Sequence, residues 1–182
     1  MLASPDTPVL ILTGPSGVGK TTVAGLLAER TERAVHLEAD VFFRFVRSGY
    51  VEPWKPESHD QNRLVMEIVG AAAASYAKAG YLTIVDGIVI PRWFLDPLRE
   101  MLQDAGLAVA YAVIRAPLSV CTERVRAREG DLPLDSAALE GIWAQFADLG
   151  ELERNVVDVS ASGPEQVADA IARRLDDGSL SV

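Results

Sequence analysis

Apolar, mostly β-branched runs alternate with helical stretches along the whole chain. Five such runs lie at 9–13, 34–39, 82–86, 107–114 and 156–160. They lack a clean polar alternation, which is typical of strands in a sheet that is covered on both faces. The helical stretches lie at 20–29, 41–47, 59–79, 93–104, 118–128, 136–149 and 165–175. This alternation predicts a three-layer α/β/α fold with a five-stranded parallel sheet.

Helix-terminal residues support these boundaries. Ser58 followed by Gln61, and Ser162 followed by Glu165, have the spacing of capping boxes and predict helix starts. Gly80 and Gly106 each stand just before a strand, where a helix is expected to end. The final residues, DDGSLSV, are expected to fray.

Length and charge narrow the class of protein. The chain has 182 residues, 49% of them apolar, with no internal repeat or low-complexity linker, which predicts a single domain over 1–182. With 17 basic and 26 acidic residues the formal net charge is −9. A general nucleic-acid binder would need a basic surface, so we expect no nucleic-acid partner. A small phosphorylated ligand remains compatible, because a local cluster of basic groups can oppose the overall charge.

Neither a targeting segment nor a membrane span is expected. The apolar run at 9–12 is too short for a signal peptide, and the stretch at 65–79 contains Glu67 and Lys78 and is too short to cross a bilayer. A cytoplasmic protein without a membrane partner, either a monomer or a homodimer, is the expectation. The single cysteine, Cys121, is expected to pack as a small apolar residue.

The strongest motif is GPSGVGKT at 14–21, a full match to the phosphate-binding pattern G-x-x-x-x-G-K-[ST]. It follows a predicted strand and opens a predicted helix, as a phosphate loop requires. Its glycines let backbone N–H groups converge on phosphate oxygens, and the helix dipole favours the same anion. A glycine-rich turn without a ligand is the alternative. The predicted nucleotide-binding residues are Gly14, Pro15, Ser16, Gly17, Val18, Gly19, Lys20, Thr21 and Thr22.

The motif predicts a nucleoside triphosphate, here ATP, together with Mg²⁺. Lys20 is the candidate to reach the outer phosphates as a catalytic cation, and the Thr21 hydroxyl is a candidate magnesium ligand. Asp86 ends the strand in TIVDG and would stand at the carboxyl edge of the sheet, where it can hold the metal directly or through water. Alternatively, Asp86 only ends the strand in a turn with Gly87.

A second carboxylate, Asp40 in VHLEAD, lies just beyond another predicted strand. Placed near the γ-phosphate, it can orient an attacking hydroxyl or accept its proton. Asp40 is also well suited to N-cap the helix predicted to start at 41, and the two roles are compatible. Glu38 is the alternative carboxylate for the catalytic role.

Arginines gather on the helix in CTERVRARE, directly before a loop. Arg124 and Arg128 are four residues apart and share a helix face, whereas Arg126 points roughly the opposite way. In an acidic chain this arrangement fits a short lid, over about 124–136, that closes on phosphates. The alternative is a solvated helix face whose arginines pair with neighbouring glutamates.

These motifs together resemble the small P-loop kinases, the superfamily of adenylate, shikimate and gluconate kinases and chloramphenicol phosphotransferase. The layout is also similar to uncharacterised bacterial kinase-like proteins with a segment like PWKPESHDQNR. The resemblance implies that Asp40 contacts the accepting hydroxyl, that Arg124 lies near the adenine and that Arg128 lies near the phosphates. It implies further that the loop at 160–164 lies beside the adenine. It leaves the acceptor open.

The segment at 40–63 would cover the acceptor side in such a fold. An apolar, aromatic pocket with a few polar groups suits a small organic alcohol, although most of its aromatic residues are better explained as core. His59 is not assigned as a base. The predicted acceptor-binding residues are Asp40, Phe43, Arg44, Trp54 and Arg92, and Trp93, Gln61 and Asn62 are further members of the same region.

The leading hypothesis is an enzyme that moves the γ-phosphoryl group of ATP to a hydroxyl of a small molecule. Lys20, Asp40 and Arg128 are its predicted catalytic residues. A nucleoside monophosphate kinase, or an ATPase or nucleotide switch that acts on a partner protein, remain alternatives. A GTPase is disfavoured because NVVD at 155–158 lacks the lysine of N-K-x-D, and a motor-type ATPase because Asp86 is followed by Gly87 rather than a second acid.

Overall fold

The observed strands and helices follow the predicted alternation, with shifts at their ends. The computed structural model describes residues 7–91, 93–127, 135–159 and 162–182. Strands β1 to β5 are Val9–Thr13, Ala34–Glu38, Leu82–Asp86, Val109–Arg115 and Val156–Asp158. Helices α1 to α7 are Lys20–Glu29, Ala39–Arg44, His59–Lys78, Leu95–Asp104, Leu118–Arg126, Ser136–Ala144 and Pro164–Asp176. Two 3-10 helices, Pro56–Ser58 and Gly150–Asn155, complete the description.

All five strands are parallel, in the order β2-β3-β1-β4-β5, which confirms the predicted sheet. The register pairs Asp86 of β3 with Leu12 of β1 on one side and with Glu38 of β2 on the other. The carboxyl ends of these three strands therefore meet at one edge of the sheet. In parallel α/β folds that edge is where ligands bind.

Alternate residues of the strands fill two separate cores, one on each face of the sheet. Leu10 and Leu12 pack with α1, α5 and α7, whereas Val9 and Ile11 pack with α3 and α4. Every residue of β1 is buried, as expected for a strand covered on both faces. None of the helices in the described residues combines the length and apolarity that a membrane span needs.

Several predicted ends are wrong. Helix α2 starts at Ala39 rather than 41 and ends at Arg44, and α4 starts at Leu95 because Trp93 and Phe94 lie in a turn. Helix α6 ends at Ala144, and a 3-10 helix follows it from Gly150, whose φ of 57° lies in the left-handed region. The predicted strand at 156–160 is shorter, ending at Asp158.

Both predicted capping boxes are wrong, although helices do begin there. The Ser58 hydroxyl donates to the carbonyls of Pro53 and Lys55 instead of capping α3. At α7 the N-cap is Gly163, one residue later than predicted, and its N–H is bound by the side chain of Gln166. The predicted helix ends before Gly80 and Gly106 are confirmed, and both glycines have positive φ.

The C-terminal residues do not fray. Leu180 is fully buried, and the N–H of Tyr111 in β4 donates to its carbonyl. The N–H of Val182 donates to the carbonyl of Val109, so the last residues add a short antiparallel bridge to the sheet. The side chain of Asn155 also donates to the Leu180 carbonyl. The sequence did not suggest this pairing because the segment has only two apolar residues.

Candidate active site

The phosphate loop joins β1 to α1 and lies tightly against two other elements. Gly14 has a φ of 145°, and a Cβ there would stand 2.1 Å from the carbonyl oxygen of Ile114 in β4. Gly17 has a φ of 81°, and its Cβ would stand 2.5 Å from the carbonyl oxygen of Cys121 in α5. Both glycines are therefore required by backbone packing, in addition to any contact with phosphate.

Lys20, the first residue of α1, folds back over this loop. Its Nζ donates to the carbonyl oxygens of Gly14 and Pro15, at 3.1 Å each. The ammonium group is thus held where the loop backbone converges. An anion bound by the amides of the loop would meet both this charge and the positive end of the α1 dipole.

Beside the loop, side chains from two elements converge on one carboxylate oxygen of a third. Thr21 Oγ1 of α1 donates to Asp86 Oδ2 of β3 at 2.7 Å, and His36 Nε2 of β2 lies 3.2 Å from the same oxygen. Asp86 is only 4% exposed. The next residue, Gly87, lets α2 pack closely at this sheet edge, because a Cβ there would stand 2.8 Å from that of Ala39.

The oxygen donors of this cluster fit magnesium. A hydroxyl and a carboxylate are the hard ligands that Mg²⁺ prefers, and the ion usually completes its octahedron with substrate phosphates and water. Within the described residues no group of three or more His, Cys, Asp or Glu side chains is arranged to hold a metal. A cation here would therefore be held by Thr21 and Asp86 together with the nucleotide.

The two candidate carboxylates of β2 and α2 lie in different settings. Asp40 is exposed in the first turn of α2, and because the N-cap of that helix is Glu38, the alternative role of Asp40 as an N-cap is wrong. Glu38 is half-buried and pairs in register with Asp86. Asp40 faces the segment that follows α2: burial, then the carboxylates of Glu52 and Asp40, raise the pKa of the Tyr50 hydroxyl.

Arg124 connects α5 to the phosphate loop. Its Nη1 donates to the carbonyl oxygen of Val18 at 3.1 Å. The same side chain lines a cavity of about 260 Å³, bounded also by the start of α7. Its other lining residues are Gly17, Val18, Gly19, Thr22, Val23, Val159, Ser162, Pro164 and Val167.

Arg126 and Arg128 are the other two arginines near the predicted lid. Arg126 is exposed and lines a separate shallow surface with Ser119 and Thr122 of α5, consistent with the predicted divergence from Arg124. Arg128 lies outside the described residues, as do 129–134. Of the predicted lid at 124–136, the structure therefore describes only the two ends, in α5 and at the start of α6.

On the side predicted to bind the acceptor, several aromatic residues are exposed. Trp93 is 49% exposed, stacks on Phe94 with ring centroids 5.5 Å apart and lies 5.9 Å from the ring of His59. Trp54 is also exposed. Phe43 is half-buried and packs against the core under α3 and α4, as expected for most of the aromatic residues. Arg44 is exposed, and Arg92 lies outside the described residues.

Two polar residues suggested for this pocket are instead part of the scaffold. The Gln61 side chain binds both backbone groups of Val51, accepting from its N–H at 2.9 Å and donating to its carbonyl at 2.6 Å. Asn62 Nδ2 donates to the carbonyl of Pro53 and to the Ser58 hydroxyl, at 2.8 Å each. These bonds fasten the segment that carries Tyr50 and Trp54 to the start of α3.

Two contacts of the site were missed by the sequence analysis. The His36–Asp86 contact was detectable in principle. Glu38 pairs in register with Asp86, and His36, two residues before Glu38 on β2, lies on the same face of the sheet. The second contact holds the loop after β3: Val89 N–H donates to Thr13 Oγ1 at 2.8 Å, and the Tyr111 hydroxyl donates to the Val89 carbonyl at 2.8 Å. No local pattern signals that one. The predicted packing of Cys121 is confirmed, since it is fully buried and burial raises the pKa of its thiol.

Comparisons with known proteins agree with this geometry. The family model of an AAA domain matches residues 9–149. A tunicamycin resistance protein from Deinococcus radiodurans is 28% identical, with a TM-score of 0.66 over 93% of this chain and 95% of that one. No curated protein sequence matches the chain.

Two kinases share the fold at lower identity. A gluconokinase from Sinorhizobium meliloti 1021 is 22% identical, with a TM-score of 0.71 over 96% of this chain and 94% of that one. A shikimate kinase from Acinetobacter baumannii, solved with shikimate, is 20% identical, with a TM-score of 0.61 over 95% of each chain. The chain therefore belongs to this AAA domain family and has the fold of the small P-loop kinases.

Proposed function

We propose that this protein transfers the γ-phosphoryl group of ATP to a hydroxyl of a small molecule. The observation that carries the proposal is the convergence of the phosphate loop, the Lys20 ammonium and the Thr21–Asp86 pair at one edge of the sheet. Similar folds are found in proteins named as kinases of small molecules. The similar tunicamycin resistance protein adds antibiotic-like alcohols to the range of acceptors to test.

Phosphate binding, charge neutralisation and metal binding each have a candidate residue. The amides of 14–22 bind the phosphates, and Lys20 neutralises charge that moves toward the β–γ bridging oxygen. Thr21 and Asp86 would hold Mg²⁺, which supplies further charge neutralisation on the phosphate oxygens. Arg124 borders the cavity next to the loop, which is the proposed binding site for the base of the nucleotide, and Arg128 is proposed to reach the phosphates.

The acceptor is proposed to lie between α2 and the loop after β3. Its hydroxyl oxygen forms a bond to the γ-phosphorus while the bond to the β–γ bridging oxygen breaks, so ADP leaves. The hydroxyl proton passes to a carboxylate, for which Asp40 is the first candidate and Glu38 the second. Phe43, Arg44, Trp54 and Arg92 are the proposed acceptor-binding residues.

A panel of acceptors tests the reaction class. Purified protein is incubated with Mg·ATP and neutral alcohols, including sugars, sugar acids and nucleoside antibiotics, or with nucleoside monophosphates, and products are identified by mass spectrometry. We expect phosphorylation, a mass gain of one phosphoryl group, for a neutral alcohol. Transfer only to a monophosphate would establish the monophosphate kinase instead, and ATP hydrolysis without any phosphorylated acceptor would favour the ATPase.

Matched variants separate the two carboxylates. For Asp40→Asn we expect unchanged Mg·ATP affinity and a fall in turnover of about 100-fold, the usual range for loss of a general base. Glu38→Gln should lose less if Glu38 only borders the site. If Asp40→Asn keeps full turnover and Glu38→Gln does not, the proton acceptor is Glu38. If both variants keep full turnover, neither carboxylate serves as the base.

A further inference from the structure

We propose that His36 is a positioning residue for the magnesium site, holding the Asp86 carboxylate in the orientation that Thr21 and the cation require. This rests on the proposed function, since it concerns the same metal·nucleotide site. No role is assigned to His36 from the sequence alone, and the role proposed here follows only from where the sheet places it.

The register of the sheet brings His36 to Asp86. His36 pairs with Ile84 on the neighbouring strand, and Asp86 lies two residues further along. Because side chains alternate along a strand, His36 and Asp86 share one face, which is the face that α1 covers. Thr21 of α1 thus approaches Asp86 from above while His36 approaches it along the sheet.

Hydrogen-bond roles in the cluster are fixed by the carboxylate. An ionised carboxylate only accepts, so Thr21 Oγ1 donates its proton to Asp86 Oδ2 and keeps its lone pairs for a cation. For the same reason the Nε2 of His36 carries the hydrogen in its contact of 3.2 Å with Oδ2. Two donors on one oxygen leave the carboxylate little rotational freedom.

Burial makes the histidine hard to replace by water. Asp86 is 4% exposed and the His36 side chain is 17% exposed. When the imidazole is removed, a buried carboxylate oxygen loses one of its two donors, and the carboxylate is free to turn away from Thr21. Residues that orient metal ligands in this way typically change metal affinity by about 10- to 100-fold when they are lost.

Two variants of His36 isolate the hydrogen bond. His36→Leu keeps an apolar body of similar length but no donor, whereas the amide nitrogen of His36→Gln can take the position of Nε2. Binding of Mn²⁺, as a paramagnetic substitute for Mg²⁺, is titrated by electron paramagnetic resonance in the presence of a non-hydrolysable ATP analogue. We expect His36→Leu to weaken Mn²⁺ binding by about tenfold and His36→Gln to stay close to the wild type.

Nucleotide affinity in EDTA gives the control, because it should be equal in all three proteins if their folds are intact. Wild-type Mn²⁺ affinity in His36→Leu, or equal losses in both variants, would overturn the proposal for His36. If wild-type protein phosphorylates an acceptor while the variants bind Mn²⁺ as it does, only this inference fails. If the wild type binds no metal·nucleotide at all, the proposed function fails with it.

Discussion

The phosphate side and the acceptor side of the site are built in opposite ways. On the phosphate side the chain is buried and close-packed, with Gly14 and Gly17 pressed against the backbone of β4 and α5. On the acceptor side the segment after α2 lies open: Phe45 is 68% exposed, and nothing lies within 4 Å of a Cβ built at Gly49. One region is determined by backbone geometry, the other by exposed side chains.

This difference separates what the fold does from what the individual protein does. The proposed phosphate binding depends on amides, one ammonium and one carboxylate, so we expect it to tolerate few changes. The proposed acceptor side is a surface segment on a rigid scaffold, where we expect substitutions to change specificity at little cost in stability. The contrast predicts that substitutions on the two sides affect different measurements.

The largest effect is expected from Lys20→Ala. This change removes the ammonium that lies over the loop carbonyls, and we expect turnover with any acceptor to fall by about 100- to 1,000-fold, as for loss of a preorganised charge-stabilising group. ATP consumption and product formation measure the loss. Lys78→Ala, at the far end of α3, is the matched control and should leave turnover unchanged. Turnover that survives in Lys20→Ala would mean that the loop does not hold the reacting phosphates.

A pair of glycine substitutions tests the packing contrast directly. Gly17→Ala and Gly49→Ala both place a Cβ at positive φ, 81° and 74°, so both carry similar backbone strain of about 1 kcal/mol. Only Gly17→Ala also forces a contact of 2.5 Å with a backbone oxygen.

We therefore expect Gly17→Ala to weaken ATP binding by at least about tenfold, because the loop must move before its amides can converge again. Gly49→Ala should bind ATP as the wild type does and lose only conformational stability. Calorimetric titration with Mg·ATP distinguishes them. Equal losses of ATP affinity in the two variants would show that the packing of the acceptor side affects ATP binding as much as the packing of the phosphate loop does.

The fold was predictable because its signals are local. Alternating runs predicted all five strands, and one complete motif placed the phosphate loop between β1 and α1. The position of Asp86 beside the phosphate loop also followed, because the carboxyl ends of parallel strands meet at one edge. Each of these inferences needs only the spacing of apolar residues along the chain and the right-handed connections of parallel α/β folds.

What could not be predicted depends on contacts between distant residues. Gln61 was assigned to the pocket but binds the backbone of Val51. A glutamine side chain can form hydrogen bonds to the backbone of a loop as readily as to a ligand. The burial of Leu180 and its bond to β4 have no local signature. The observed helix starts at Ala39 and Pro164 differ from the predicted starts at 41 and 165 by two residues and one residue, because several nearby residues can cap a helix.

A substitution at Tyr111, which lies where the two sides are joined, is expected to have an intermediate effect, measured as a change in the free energy of unfolding. Its hydroxyl holds the Val89 carbonyl, in the loop that runs from Asp86 toward Trp93. At pH 8, Tyr111→Phe should lower the free energy of unfolding by about 1 kcal/mol through loss of one buried hydrogen bond. Tyr76→Phe, at an exposed tyrosine of α3, is the control.

The same residue predicts a pH dependence. Burial raises the pKa of Tyr111 far above its ordinary value. Below about pH 10 the hydroxyl is protonated in both the folded and the unfolded chain, so it adds no pH dependence. Above that pH the unfolded chain ionises while the folded chain does not, and stability is lost as pH rises. The stability gap between wild type and Tyr111→Phe, measured by urea unfolding, should therefore narrow between pH 8 and pH 10.5; a constant gap would contradict the linkage.

The smallest effect on nucleotide binding is expected from Gln61→Ala, which releases the acceptor segment at Val51. Two part-buried hydrogen bonds are lost, but water can replace them in the half-buried loop, so we expect about 1 kcal/mol less stability in urea unfolding. Mg·ATP affinity should not change, because the segment makes none of the contacts of the phosphate loop, whereas KM for the acceptor should rise. Gln145→Ala, at an exposed glutamine after α6, should change none of the three quantities. A fall in ATP affinity in Gln61→Ala would show that the acceptor segment supports the phosphate loop, and the division between the two sides would then be wrong.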